Sequence, residues 1–205
     1  VAAHAGIEWL NAAEVEARYE ASAYGIVEGA AAVAAPVCES YARGVPLMLE
    51  GELGAGQAEI AKRLYLDGPY ADEPFVSVAL DELTDRGWRH LLQSSESPLF
   101  QARLPLCMGG WHALSPQRLR ELVSTMTDTA LAARCHVVLT ANDMPGGGES
   151  DQAAFVTERL ACAASVAPAI AEQGGASKKV AQYLSYLPDV FGTAAPSMSE
   201  EAAST

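Results

Sequence analysis

The chain has 205 residues, half of them hydrophobic, and a formal net charge of −13. That length and apolar share suffice for one domain, or one domain with a small appendage, and exclude a disordered chain. With 13 Lys and Arg against 26 Asp and Glu, no basic surface is available to hold nucleic acid by its phosphates. No apolar run approaches the ~18 residues that cross a membrane, and no charged-then-apolar leader stands at the start. The first residue is Val1 rather than Met, which suggests a segment of a longer chain. Cys38, Cys107, Cys135 and Cys162 have no metal-ligand spacing and read as buried, reduced thiols of a cytoplasmic protein.

In chain order, residues 7–23 carry Ile7, Leu10, Val15 and Tyr19 among Glu and Ala, which predicts an amphipathic helix or linker, with Ser22 capping the next helix. The Ala-rich residues 26–41 predict a helix bent at Pro36. Residues 45–50 are uninterruptedly apolar up to Glu50, as in a parallel strand covered on both faces. A glycine-rich turn and an amphipathic helix come next, then strand two at 75–78 and a helix over 81–93. The polar residues 94–97 lead to strand three at 104–108. Ser115-Pro116 predicts the capped start of a helix to about 131. Strand four at 137–141, a flexible glycine-rich loop at 144–150 and a helix over 153–160 complete the core. A fifth strand at 166–170, a helix over 178–186 and a frayed tail at 193–205 are expected beyond it.

The centre of this layout is Gly51-Glu52-Leu53-Gly54-Ala55-Gly56-Gln57-Ala58 between a strand and a helix. Glycines there let backbone N–H groups and the helix start face an anion, as in a phosphate-binding loop. The template G-x-x-x-x-G-K-[ST] lacks two of its chemical residues. Gln57 stands where a lysine would reach the phosphates, and Ala58 where a hydroxyl would hold Mg²⁺. The plain alternative is an ordinary strand-to-helix turn. Gln57 reads as a solvated helix-start residue, and Glu52 and Glu59 as solvated charges.

The order of segments resembles the central AAA+ domain of the bacterial sigma-54-dependent transcription activators, whose nucleotide loop runs Gly-Glu-x-Gly-x-Gly-Lys-Glu. The helix Ile60-Ala61-Lys62-Arg63-Leu64-Tyr65, the strand Pro74-Phe75-Val76-Ser77-Val78 and the strand His136-Val137-Val138-Leu139-Thr140-Ala141-Asn142 resemble that family's counterparts. The resemblance implies an α/β P-loop NTPase fold: a three-layer αβα sandwich with a parallel sheet, its C-terminal helical lid largely missing. It divides the chain into an N-terminal helix or linker (1–21), an AAA+-like core (22–175) and a remnant of the lid's start with a flexible tail (176–205). It implies ATP and Mg²⁺ as cofactors of the ancestral site, and sigma-54 polymerase and further copies of the chain as partners. DNA would be met only through a separate domain.

The departures from the family are chemical. Its acidic strand end is replaced in Leu106-Cys107-Met108-Gly109-Gly110-Trp111-His112, where glycines occupy both carboxylate positions. These are either a tight backbone approach or a strand that lost its acids. On the second reading, Gln57→Lys restores a phosphate anchor without disturbing the fold, and Gly109→Asp with Gly110→Glu restores turnover. The family's sigma-contacting Gly-Ala-Phe-Thr-Gly-Ala loop is absent from residues 84–104, and Arg159 alone remains near its subunit-bridging arginines, out of register. Asn142 is sensor-like by position, with a structural turn as its plain reading. Cys107 and His112 lack the partners of a nucleophile or base. The segment 86–90 is a small interaction patch or an ordinary helix face. The expectation is a non-hydrolysing AAA+-like module of a bacterial transcription regulator, with no cofactor and no catalytic residue. A weakly active sigma-54 activator ATPase and a protein-binding scaffold are the alternatives.

Overall fold

The computed structural model describes residues 4–22, 35–51, 56–142 and 148–163. Five strands form one sheet: β1 (Ile7–Leu10), β2 (Leu47–Gly51), β3 (Phe75–Ala79), β4 (Pro105–Gly109) and β5 (His136–Asn142), in the spatial order β1-β3-β4-β5-β2. Four of them run parallel, and β1 closes one edge antiparallel to β3. Parallel neighbours need crossovers, which the helices supply. These are α1 (Ala12–Glu20), α2 (Ala35–Ala42), α3 (Gln57–Leu66), α4 (Asp85–Gln93), α5 (Pro116–Asp128), α6 (Leu131–Arg134) and α7 (Gly148–Leu160).

Side chains alternate across each strand and sort into two cores. Leu47, Leu49, Cys107 and Val138 pack with Val15 of α1, Tyr41 of α2 and Ala61, Leu64 and Tyr65 of α3. Met48, Leu106, Met108 and Leu139 pack with Leu91 of α4, Leu122 and Met126 of α5, and Val156 of α7. Helices thus cover both faces, and this is why β2, β4 and β5 are apolar without alternation. Each such Leu or Met taken fully out of water contributes about 1.5–3 kcal/mol.

The expected strands and helices are largely present, with differences that have local causes. Residues 7–10 form a strand rather than the start of a helix, because Asn11 begins α1 afresh. Its side chain accepts from Glu14 N at 2.9 Å while the Glu14 carboxylate accepts from Asn11 N at 2.8 Å. Residues 7–20 consequently join the sheet and its helical cover instead of standing outside the core as a linker. Pro36 lies in the first turn of α2, where its missing N–H is no loss, and does not bend a helix interior. The helix expected over 81–93 is split by Thr84, whose hydroxyl accepts from Gly87 N at 3.1 Å and caps α4, leaving Leu80–Glu82 as a separate 3₁₀ turn. Ser115 caps α5 as expected, but α5 stops at Asp128, and Ala130 in the left-handed region (φ 51°) separates it from α6. Gly148–Ser150, expected in a loop, are the first turn of α7.

After α7 the chain comes back beside β2. Ala163 N donates to Pro46 O at 2.8 Å, and Ala163 forms a parallel bridge with Leu47. Residues 26–34 of the expected second helix, the fifth strand at 166–170, the helix over 178–186 and the tail lie outside the described residues, as do Glu52 and Gly54. Among the described residues, no helix is long and apolar enough to cross a membrane.

Ala130 is exposed and its Cβ only strains the backbone. Ala130→Gly should raise the unfolding free energy by about 0.5–1 kcal/mol, the left-handed penalty less the extra entropy glycine gives the unfolded chain. Urea denaturation would read this as a higher midpoint at unchanged slope.

Candidate functional site: the carboxyl edge of the parallel strands

In this strand order β5 lies between β2 and β4. The helix after β2, α3, packs on one face of the sheet, and the helix after β5, α7, packs on the other. In open α/β sheets, ligands usually sit where adjacent strand ends send their following chain to opposite faces, which makes this edge the candidate position. Gly51 and Asn142 are the paired residues at that parting, so the sequence-selected residues Gly51, Gly56, Gln57, Ala58, Gly109, Gly110 and Asn142 all gather on this edge.

Gln57 is not solvated, contrary to expectation. It is 8% exposed, and its side-chain Nε2 donates to Gly51 O at 2.9 Å and Ala141 O at 3.4 Å. The cause is Gly56, which caps α3 with φ 85° and swings the first helical residue back over the strand ends. A neutral amide suits this position because two carbonyl oxygens face it; a charge buried there would need a stronger partner. Gln57→Lys therefore does not leave the structure undisturbed. Ala58, next on α3, is exposed. Glu59 is only partly exposed and pairs with Lys62 at 3.4 Å, so it too departs from the solvated charge expected.

Gly109 and Gly110 are a tight approach. A Cβ at Gly109 would overlap Thr140 Oγ1, and Thr140 O would lie 3.4 Å away. Gly110 has φ 80°, and a Cβ there would overlap the Asp81 carboxylate, with Asp81 Cγ at 2.8 Å and Asp81 N at 2.9 Å. Paired acids at 109 and 110 do not fit, so Gly109→Asp with Gly110→Glu would break this strand end rather than repair it. The Trp111 indole N–H, in the fully buried 3₁₀ residue after Gly110, donates to Thr140 O at 3.1 Å. Asp81, Thr140 and Trp111 carry no signal of this role in the sequence. Only the strand register, which sets Gly109 beside Thr140, brings them here. The side chain of His112 lies outside the described residues.

The other candidates have structural roles. Burial pushes the Cys107 thiol up to about 12 and the Cys162 thiol up to about 11, so neither is a thiolate at neutral pH. Cys38, expected to be buried, is exposed. Trp88 is a core residue with the Arg118 guanidinium 5.1 Å over its ring, and Arg118 also bonds Asp85 at 2.6 Å. This makes 86–90 a helix with one buried face. Arg159 lies 5.5 Å over the ring of Phe155 on its own helix. Among the described residues, no three His, Cys, Asp or Glu side chains converge as metal ligands.

Gln57→Leu keeps the volume and leaves two carbonyl oxygens without that donor, which should cost about 1–3 kcal/mol. Gly110→Ala should cost about 2 kcal/mol or more through its positive φ and the Asp81 backbone. Urea unfolding of both variants checks these values, and a loss below about 0.5 kcal/mol for Gly110→Ala would contradict the crowding described.

No family model, curated protein or solved structure matches the chain.

Proposed function

We propose that the chain is a P-loop-like, non-hydrolysing module of the sigma-54 activator AAA+ kind, acting within a larger transcription regulator through its surface rather than through phosphoryl transfer. The observation that carries this reading is the Gln57 amide, bonded to Gly51 O and Ala141 O at the strand ends where a nucleotide's phosphates would approach. Support also comes from the largely parallel sheet, from the strand at 47–51 and the helix at 57–66 that follow one another in it, and from the resemblance of four segments in order.

The residues described do not fit ATP and Mg²⁺. Gln57 brings no charge and is turned inward, and Ala58 has no oxygen for a metal. Gly109 and Gly110 have no room for carboxylates. Asp81 lies against Gly110, but it comes from the turn after β3 rather than from the end of β4.

Each lost charged contact to phosphate removes about 1.5–3 kcal/mol, a factor of ten or more in affinity. Calorimetric titration with ATP and Mg²⁺ should therefore give binding no tighter than about millimolar, with no phosphate release above a blank. Micromolar binding or Mg²⁺-dependent turnover would overturn the proposal in favour of a weakly active ATPase. A pull-down with purified sigma-54 should give no nucleotide-dependent complex, since residues 84–104 carry no sigma-contacting loop.

A further inference from the structure

β1 closes the sheet at one edge, and the turn leading into it is docked on α4. Gly6, at φ 81°, turns the chain so that Ile7 N donates to His4 O at 3.0 Å and Ala79 N donates to Gly6 O at 2.8 Å. Ala5 O comes close to Gly87 on α4, about 3.4 Å from where a Cβ there would stand. One turn further along α4, the His90 ring stacks on the His4 ring with centroids 4.1 Å apart and planes 25° from parallel. Two titratable rings from distant parts of the chain thus meet face to face at the point where the edge strand begins.

We propose that the His4–His90 stack is an acid-released clasp, which holds the N-terminal turn and β1 against α4 at neutral pH and frees them in acid. Neutral imidazoles stack as flat, weakly polar surfaces; two imidazolium rings at this spacing repel. Burial and the neighbouring His4 lower the proton affinity of His90, and Glu96 in the turn after α4 opposes them.

A ring whose affinity is lowered in the folded state stabilises that state above its ordinary value of about 6.5, and the contribution is lost as pH falls below it. Release uncovers the edge of β3, residues Phe75–Ala79, which β1 otherwise pairs.

Amide hydrogen exchange on the full chain tests the clasp at Ile7 N–H and Ala79 N–H, whose acceptors are His4 O and Gly6 O. After correction for intrinsic exchange, their protection should fall about tenfold or more between about pH 7.5 and about pH 5, while that of Leu139 in the central strand falls less. His4→Phe keeps a ring on His90 but removes one charge, and should retain the protection at the lower pH. His90→Phe should do the same from the other side and serves if the first variant docks poorly. His136, buried and also lowered in proton affinity, is present throughout, so its contribution cancels in the comparison. Unchanged wild-type protection across this range would overturn the proposal, as would a fall that neither phenylalanine variant abolishes.

Discussion

At the parting of two neighbouring parallel strands, the carbonyl oxygens of Gly51 and Ala141 face one donor, the Gln57 amide. A strand end has backbone groups that the ladder no longer pairs, and leaving them buried and unmet is costly. The same amide fixes the first turn of α3 to both strands. It therefore ties the direction in which α3 leaves the sheet to the ends of both strands.

The neighbouring strand end is closed by a different means. At Gly109 a side chain would have to displace the Thr140 hydroxyl, and at Gly110 the positive φ and the Asp81 backbone exclude one, while the Trp111 indole bonds Thr140 O. Thr140 of β5, Asp81 of the turn after β3 and Trp111 of the turn after β4 all pack at this edge. The edge is packed around glycine, and reversing it would require Thr140 and Asp81 to move as well.

Much of the architecture was legible from local pattern. The apolar run of β2 announced a strand buried on both faces, β4 and β5 were placed as strands to within a residue at each end, and Ser115-Pro116 announced the start of α5. Boundaries set by one capping side chain were less visible: Asn11 and Thr84 each end one element and begin another, although apolar spacing runs across them. The site was legible as a location but not as an arrangement. Gly56 and Gln57 could be placed at the start of α3, yet that Gln57 turns inward depends on a positive φ and on the ends of two strands far apart in sequence. Likewise, choosing between a lost acid and a close approach at Gly109 needed the register of β4 against β5, which no local pattern carries.

The sheet order has a consequence for the chain as it is made. β2 emerges early, but its described neighbours are β5 on one side and Ala163 on the other, both far downstream. Until the ribosome has delivered residues 136–163, this apolar strand has both edges unpaired, and its contacts are of the long-range kind that form slowly. The nascent polypeptide thus passes through an interval in which Leu47–Gly51 is open to pairing with other chains. That exposure ends only when β5 and Ala163 come to lie against β2.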